Sequence, residues 1–279
     1  MIHQYFTQFF EYLHRAPVNS VGIIAILIFT GLLVGFVNTI AGMATALSYA
    51  LFMAMGLPIN VANGTTRFGV MSQFLVSSAI FKKKGYLNLK IGTKIGIPVG
   101  LGALLGAEFA SVLRPDIIET IMGIILPIMA IMLFFDPKKI MQKFSAKRNG
   151  SVVETNVGEG DGKISVFKVI AFFIIGIYGG FTHAGVGLLI MFGSFFMMGM
   201  DLIHSNAIKQ FAVVIYTPLA LLIFILHGQV NWPIALIYSI GNIAGGILGS
   251  YASIKGGDKF IRVSVAIVIF AVSGWMLFK

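Results

Sequence analysis

Long apolar runs separated by short polar segments dominate this sequence. The first run extends from Val21 to Leu57, and later runs cover Asn63 to Phe81, Leu89 to Val112 and Ile117 to Phe135. A helix needs about 20 apolar residues to cross the hydrocarbon core of a bilayer, and most of these runs are close to that length or exceed it. The pattern therefore predicts an all-α, polytopic membrane protein.

The same pattern starts again at Ile164. A second long run extends to Met200, and predicted helices follow at Ser205–Leu226, Trp232–Ile254 and Lys259–Phe278. A shift of 143 positions, as from Gly56 to Gly199, also aligns five further pairs: Phe81 with Phe224, Gly85 with Gly228, Asn88 with Asn231, Gly102 with Gly245, and Gly106 with Gly249. We interpret this as an internal duplication. The chain then divides into an N-terminal interfacial segment (1–20), a first transmembrane repeat (21–135), a cytoplasmic linker (136–163) and a second repeat (164–279).

Basic residues cluster between the apolar runs. The chain has 20 Lys and Arg against 10 Asp and Glu, and in a membrane protein such loops mark the cytoplasmic side, so no nucleic-acid partner is expected. The basic loops at 82–94 and 136–163 are separated by two spans and share that side. In the second half the basic loop is 255–262, whereas 227–231 carries no Lys or Arg. If 255–262 is cytoplasmic and 227–231 lies outside, each long apolar run must enter and leave the membrane on the same side. This predicts two inverted repeats, each a broken or re-entrant hairpin followed by three transmembrane helices.

Polar residues and glycines interrupt both long runs. The predicted breaks are Asn38-Thr39-Ile40-Ala41-Gly42 and Thr182-His183-Ala184-Gly185-Val186-Gly187. Unwound backbone at membrane depth is tolerated where it is buried in protein or lines a cavity. Asn38, Thr39, Gly42, His183 and Gly185 are therefore candidate substrate-binding residues. His183 is a candidate substrate ligand or proton carrier. The alternative is a histidine that only binds helix carbonyls.

Two cations, Arg67 and Lys209, are predicted near corresponding helix starts. Asn63 and Asn206 share a helix face with them, and a helix start offers N–H donors and a positive dipole to an anion. A pseudo-two-fold axis would bring both cations toward one central site. Further candidate donors lie beside them: Thr65, Thr66, Ser205 and Gln210. Under the alternative, the cations snorkel to the membrane surface or bind neighbouring carbonyls.

The sequence offers little for catalysis or metal binding. It contains no cysteine, which excludes thiolate chemistry, and acidic residues are almost absent from the predicted spans. Glu108 and Glu119 lie near span ends, and Asp201 with His204 is expected to cap a loop. We therefore predict no catalytic residue, no metal site and no cofactor.

Several motifs resemble one membrane permease family. They are Gly31-x-x-x-Gly35-Phe36, Ala62-Asn63-Gly64-Thr65-Thr66-Arg67, Gly176-x-x-x-Gly180-Phe181, Asn206-Ala207-Ile208-Lys209, His227-Gly228-Gln229-Val230-Asn231-Trp232 and Gly245-Gly246-Ile247-Leu248-Gly249-Ser250. With these motifs, residues 20–279 resemble the sulfite exporter TauE/SafE family. The resemblance implies transport of sulfite or sulfonates across the plasma membrane without an ATPase. The family often has a glycine-rich run followed by proline in the first break, whereas this chain reads Ala41-Gly42-Met43-Ala44, which leaves the exact substrate open.

The sequence thus predicts a multi-pass secondary transporter in the plasma (inner) membrane. Its expected partners are the lipid bilayer, a small anion such as sulfite or an organosulfonate, and protons as the candidate coupling ion. Three alternatives remain: an anion channel, a transporter of a non-sulfur organic acid, and a membrane-embedded enzyme. The enzyme is the least favoured, because the spans offer only isolated histidines.

Overall fold

The computed structural model describes residues 8, 11–118, 120–121 and 164–277, with side chains up to 261 and at 263 and 264. The predicted linker at 136–163, most of the predicted helix at 117–135 and the first seven residues lie outside this part of the chain. Within the described residues, every regular element is helical.

Eight longer helices follow one another in the described residues, which also contain short helical segments at 11–15 and 115–118. The first four are α1 (Val21–Ala41), α2 (Thr45–Ala54), α3 (Ile59–Lys83) and α4 (Leu89–Val112), and the second four are α5 (Val166–Phe181), α6 (Val186–Met198), α7 (Leu202–Leu226) and α8 (Trp232–Leu277). Helix α8 is broken at Gly257, close to the predicted division after Ile254. By length and composition, α1, α4, α7 and the Trp232–Ile261 part of α8 can each cross a membrane. The chain is therefore a polytopic helical membrane protein, as predicted.

The helix boundaries repeat along the chain. Helices α3 and α7 begin and end 143 residues apart, and so do the starts of α4 and α8. Glycines with positive φ, a backbone conformation that residues with a Cβ rarely adopt, recur with the same spacing: Gly42 and Gly185, Gly56 and Gly199, and Gly85 and Gly228. These matching breaks and turns agree with the duplication inferred from sequence.

Glycines lie at the closest contacts between neighbouring helices, and these contacts show the relative directions of the helices. Gly31 and Gly35 lie against the backbone of Tyr238 and Asn242, while Gly176 and Gly180 lie against Val99 and Ala103. A Cβ at any of the four would collide with backbone atoms, so small residues allow these helices to approach closely. Because residue numbers rise together in each pair, α1 is parallel to the first part of α8, and α5 is parallel to α4.

The central helices, α3 and α7, pack against those outer pairs and against each other. On α4, Gly92, Gly96 and Gly100 face Phe211, Ile215 and Leu219 of α7, so these two helices are parallel. Gly69 and Gln73 of α3 face Tyr238 and Gly246 of α8, respectively, so α3 is parallel to the first part of α8. Between α3 and α7 the order reverses, since Arg67 lies over the Phe224 ring and Lys209 over the Phe74 ring. Helices α3 and α7 are therefore antiparallel.

Candidate functional site

Neither candidate cation lies at a helix start. Helix α3 begins at Ile59 after Pro58, and α7 begins at Leu202 after Asp201, so Asn63 and Asn206 lie inside the helices. Asp201 is the N-cap of α7 and accepts a hydrogen bond from the His204 amide at 2.8 Å, as its expected capping role requires. The predicted helix starts at Asn63 and Ser205 are therefore wrong, and anion binding by these residues stays a prediction. The physical cause of the error is that Pro58 and Asp201 begin the helices earlier than the apolar pattern indicates.

Arg67 instead binds the C-terminal end of α5. Its side chain is fully buried, with Nη1 donating to the Gly179 carbonyl at 3.2 Å and Nη2 donating to the Gly180 carbonyl. Asn63, on the same face of α3, donates from Nδ2 to the Phe181 carbonyl at 2.8 Å. The last carbonyls of a helix have no intrahelical partner and form the negative end of its dipole. Two side chains of α3 thus cap the helix that ends at the second break.

Lys209 makes the corresponding contact with the C-terminal end of α1. Its Nζ donates to the carbonyls of Asn38 at 3.1 Å and Thr39 at 2.8 Å. Gln210 donates from Nε2 to the same Thr39 carbonyl at 2.8 Å, and its Nε2 also donates to Asn206 Oδ1. Each repeat therefore supplies the polar side chains that cap the broken helix of the other. Of the two alternatives for the cations, binding to neighbouring carbonyls is the one present in this structure.

The two cations lie in separate clusters. Arg67 and Phe74, the ring beneath Lys209, are seven residues apart on α3, which is roughly 10 Å along the helix axis. The start of α6 lies between the clusters, since Val186 packs on Gly179 and Gly187 packs on Lys209 Cδ. In this conformation Arg67 and Lys209 therefore bind different helix ends, and their meeting in one central site stays a prediction.

The second break is held by tyrosines. His183 is buried, and its Nδ1 lies 2.8 Å from the Tyr216 hydroxyl. The His183 amide donates to the Tyr49 hydroxyl at 3.0 Å, and that hydroxyl donates to Asn63 Oδ1 at 3.1 Å. Tyr178 donates to the Ala184 carbonyl at 2.6 Å. The unwound chain thus has side-chain partners for its polar groups, as irregular backbone at membrane depth requires.

The first break is shorter than predicted. Helix α1 continues through Ala41, so Asn38 and Thr39 are still helical. Asn38 donates from Nδ2 to Thr45 Oγ1 at 3.2 Å, and Gln73 donates to Thr39 Oγ1 at 2.9 Å. Gly42 ends the helix with φ 76° and touches Gly187, since a Cβ on it would lie 2.7 Å from the Gly187 carbonyl carbon. The two breaks therefore meet directly.

The remaining candidates divide between the breaks and other contacts. Gly185 has φ 80° and precedes α6 at the second break. Thr65 accepts a hydrogen bond from the Asn231 amide at 2.9 Å, and Thr66 donates to Ala62 within its own helix at 2.7 Å. Both threonine hydroxyls thus have structural partners away from the breaks.

Four residues of these clusters were missed by the sequence reasoning: Tyr49, Gln73, Tyr178 and Tyr216. The three tyrosines carry polar groups within mainly apolar segments, which is the signal that could have identified them, whereas Gln73 lies in the polar helix α3.

No carboxylate compensates either cation within the described residues. The ion pairs there are Arg114 with Asp116, His204 with Asp201, and His227 with Glu108. In the same residues there is no cluster of three side chains suited to a metal ion. Among the described residues, the groups that balance the two buried positive charges are carbonyl dipoles and the faces of Phe224 and Phe74.

Comparison with known proteins finds relatives named as probable membrane transporter proteins. The chain is 24% identical over 255 residues to a probable membrane transporter protein, ORF9, of Sinorhizobium sp, covering 90% of this chain and 91% of that protein. It is 23% identical to a probable membrane transporter protein of Haemophilus influenzae, covering 93% and 96% of the two chains. A third relative, the probable membrane transporter protein YdhB of Bacillus subtilis, is 23% identical, covering 82% and 88%.

No solved structure matches the chain. Residues 27–276, nearly the whole sequence, match the model of one protein family. The protein therefore belongs to the sulfite exporter TauE/SafE family of membrane transporter proteins.

Proposed function

We propose that this transporter moves a small anion, sulfite or an organosulfonate, across the plasma membrane. The observation that carries the proposal is the pair of buried cations, Arg67 and Lys209, neither of which contacts a carboxylate in the described residues. A charge at membrane depth is expensive and normally serves transport or binds a partner. An anion passing through the protein would supply the missing negative charge, and the guanidinium fork suits two oxygens of a sulfur oxyanion.

The two repeats are inverted in this proposal. The helix directions support it, because α1 and α3 are both parallel to the first part of α8, whereas α5 and α7 are both parallel to α4. Since α3 and α7 are antiparallel, the first repeat runs opposite to the second. Inverted repeats with broken helices that meet inside the membrane are a common architecture of secondary transporters.

Transport then occurs by alternating access. The side chains of Arg67 and Lys209 have 0% exposure and His183 has 2%, so water does not reach them in this conformation. An anion can reach the cations only after the helices around a break separate. A conformation closed to water supports a transporter over an open channel.

The inverted arrangement predicts that matched positions face opposite sides of the membrane. Lys84 and His227 are the exposed C-cap residues of α3 and α7 and lie 143 residues apart. Single Lys84→Cys and His227→Cys variants should react with an impermeant maleimide from the cytoplasmic and the outer side, respectively. The natural chain has no cysteine and serves as the blank. Reaction of both from the same side would contradict inversion.

Transport is tested with purified protein in liposomes. We expect radiolabelled sulfite, kept anaerobic, to accumulate above its external concentration when a proton gradient is imposed, and to stop doing so when the gradient is collapsed. Lys83→Gln, at the exposed end of α3, is the control and should transport like the natural protein. Equilibration without accumulation would favour a channel, and no movement of sulfite would exclude it as substrate.

A further inference from the structure

Arg67 and Lys209 lie in separate clusters, and we propose that the clusters are two successive anion-binding stations on one path. The Arg67 station consists of Arg67 with the carbonyls of Gly179 and Gly180. The Lys209 station consists of Lys209 and Asn206 with the carbonyls of Asn38 and Thr39. This inference rests on the proposed anion transport and specifies how the anion would be held.

The two stations are built from the same parts. Each has a fully buried cation, two carbonyls at the end of a broken helix from the other repeat, and an aromatic ring beside the cation. Each also has a buried nitrogen donor without a partner, which is Arg67 Nε in the first and Asn206 Nδ2 in the second. Buried donors are rarely left unpaired, so each station has capacity for an additional acceptor.

An anion would use this capacity by replacing the carbonyls. Oxygens of the anion are stronger acceptors for a cation than neutral carbonyl oxygens, and Arg67 can offer them Nε together with an Nη group. The displaced carbonyls of Gly179 and Gly180 would then lose their Arg67 donors, whereas those of Asn38 and Thr39 would lose Lys209 and keep only the Gly42 amide and Gln210. Anion binding to a cation of one repeat thus frees the broken helix of the other repeat, which couples occupancy to movement.

The separation of the stations requires two binding events. Arg67 and Phe74, the ring beside Lys209, are roughly 10 Å apart along the α3 axis, and the start of α6 lies between the two stations. Because Arg67 and Lys209 bind different helix ends with the start of α6 between them, we infer that one sulfite ion does not contact both cations. An anion crossing the protein would therefore leave one cation before it reaches the other.

Equilibrium binding of radiolabelled sulfite to the purified protein tests the inference. We expect two sulfite ions per chain at saturation for the natural protein, one for Arg67→Gln, one for Lys209→Gln and none for the double variant. The natural protein's stoichiometry is informative even if a variant fails to fold, and gel filtration identifies such a failure. One ion per chain in the natural protein, or loss of all binding in either folded single variant, overturns the two-station arrangement alone. Absence of binding by the natural protein overturns the proposed sulfite transport and the stations together.

A second measurement locates the movement. Thr45 and Ala184 are buried beside the first and second breaks, and cysteines placed there are the only thiols in the chain. In the Arg67→Gln background, sulfite should raise the rate at which a permeant maleimide labels Thr45→Cys and leave Ala184→Cys unchanged. The Lys209→Gln background should show the reverse. Equal responses of both cysteines in either background would contradict the coupling of each station to one break.

Discussion

Replacing Arg67 by methionine should abolish sulfite transport and lower the free energy of unfolding by no more than about 3 kcal/mol. The substitution leaves the carbonyls of Gly179 and Gly180 buried without donors, at about 1–3 kcal/mol each. Relief of the guanidinium's own burial, about 2.5–3.5 kcal/mol at membrane depth, offsets part of the loss. Resistance to denaturant in detergent and uptake in liposomes measure the two effects.

The duplication offers a matched control for this substitution. Gln210 corresponds to Arg67 under the shift of 143 residues, and it also donates to the end of a broken helix. The Thr39 carbonyl that it contacts keeps a second donor, Lys209 Nζ. Gln210→Met should therefore cost only about 1 kcal/mol, the value of one ordinary hydrogen bond. If Gln210→Met loses as much sulfite transport as Arg67→Met, the loss follows from removing a cap on a broken helix and not from removing the arginine's charge.

Helix positions were largely predictable because local patterns determine them. Helix α4 has the predicted ends, Leu89 and Val112, and α7 ends at the predicted Leu226. In these cases a polar or basic loop interrupts the apolar run. The starts of α3 and α7 were placed too late. Ile59 and Leu202 follow closely after the long apolar runs that end at Leu57 and Met200. Only Pro58 and Asp201 therefore indicate where each helix begins.

The contacts of the cations could not be predicted from local sequence. The residues joined by the Arg67 and Lys209 hydrogen bonds are more than 100 positions apart. Sequence alone indicates that a cation in a membrane helix needs a partner, but the choice between an anion and a carbonyl depends on which helix end lies nearby. Helix packing through Gly176 and Gly180 brings the end of α5 to its position, and that information is spread over both repeats.

The close contact of the breaks also changes how glycine substitutions should be chosen. Gly42 and Gly185 both have positive φ, so any larger residue there strains the backbone as well as filling space. Loss of transport in such a variant would not separate a role in the path from a role in folding. Gly187 gives a cleaner test, since it is part of the regular helix α6 and carries no such strain.

Gly187→Ala should slow sulfite uptake by roughly tenfold, equivalent to about 1.4 kcal/mol. The added methyl would lie 2.9 Å from Gly42 Cα, 3.1 Å from its carbonyl oxygen and 3.3 Å from Lys209 Cδ. Backbone atoms cannot rotate away, so the two breaks must move apart and Lys209 must shift relative to the carbonyls of Asn38 and Thr39. Overpacking of this kind typically costs about 1–3 kcal/mol of stability.

Gly193→Ala is the control on the same helix. There the methyl would meet the ring of Phe172, with its nearest carbon at 3.0 Å, and a small rotation of that side chain relieves the contact. We expect uptake close to that of the natural protein and a loss of stability below about 1 kcal/mol. If Gly187→Ala transports sulfite as fast as Gly193→Ala does, the contact between the breaks does not govern transport. If only Gly187→Ala is slow while both variants remain folded, the position of Lys209 relative to the first break controls the rate.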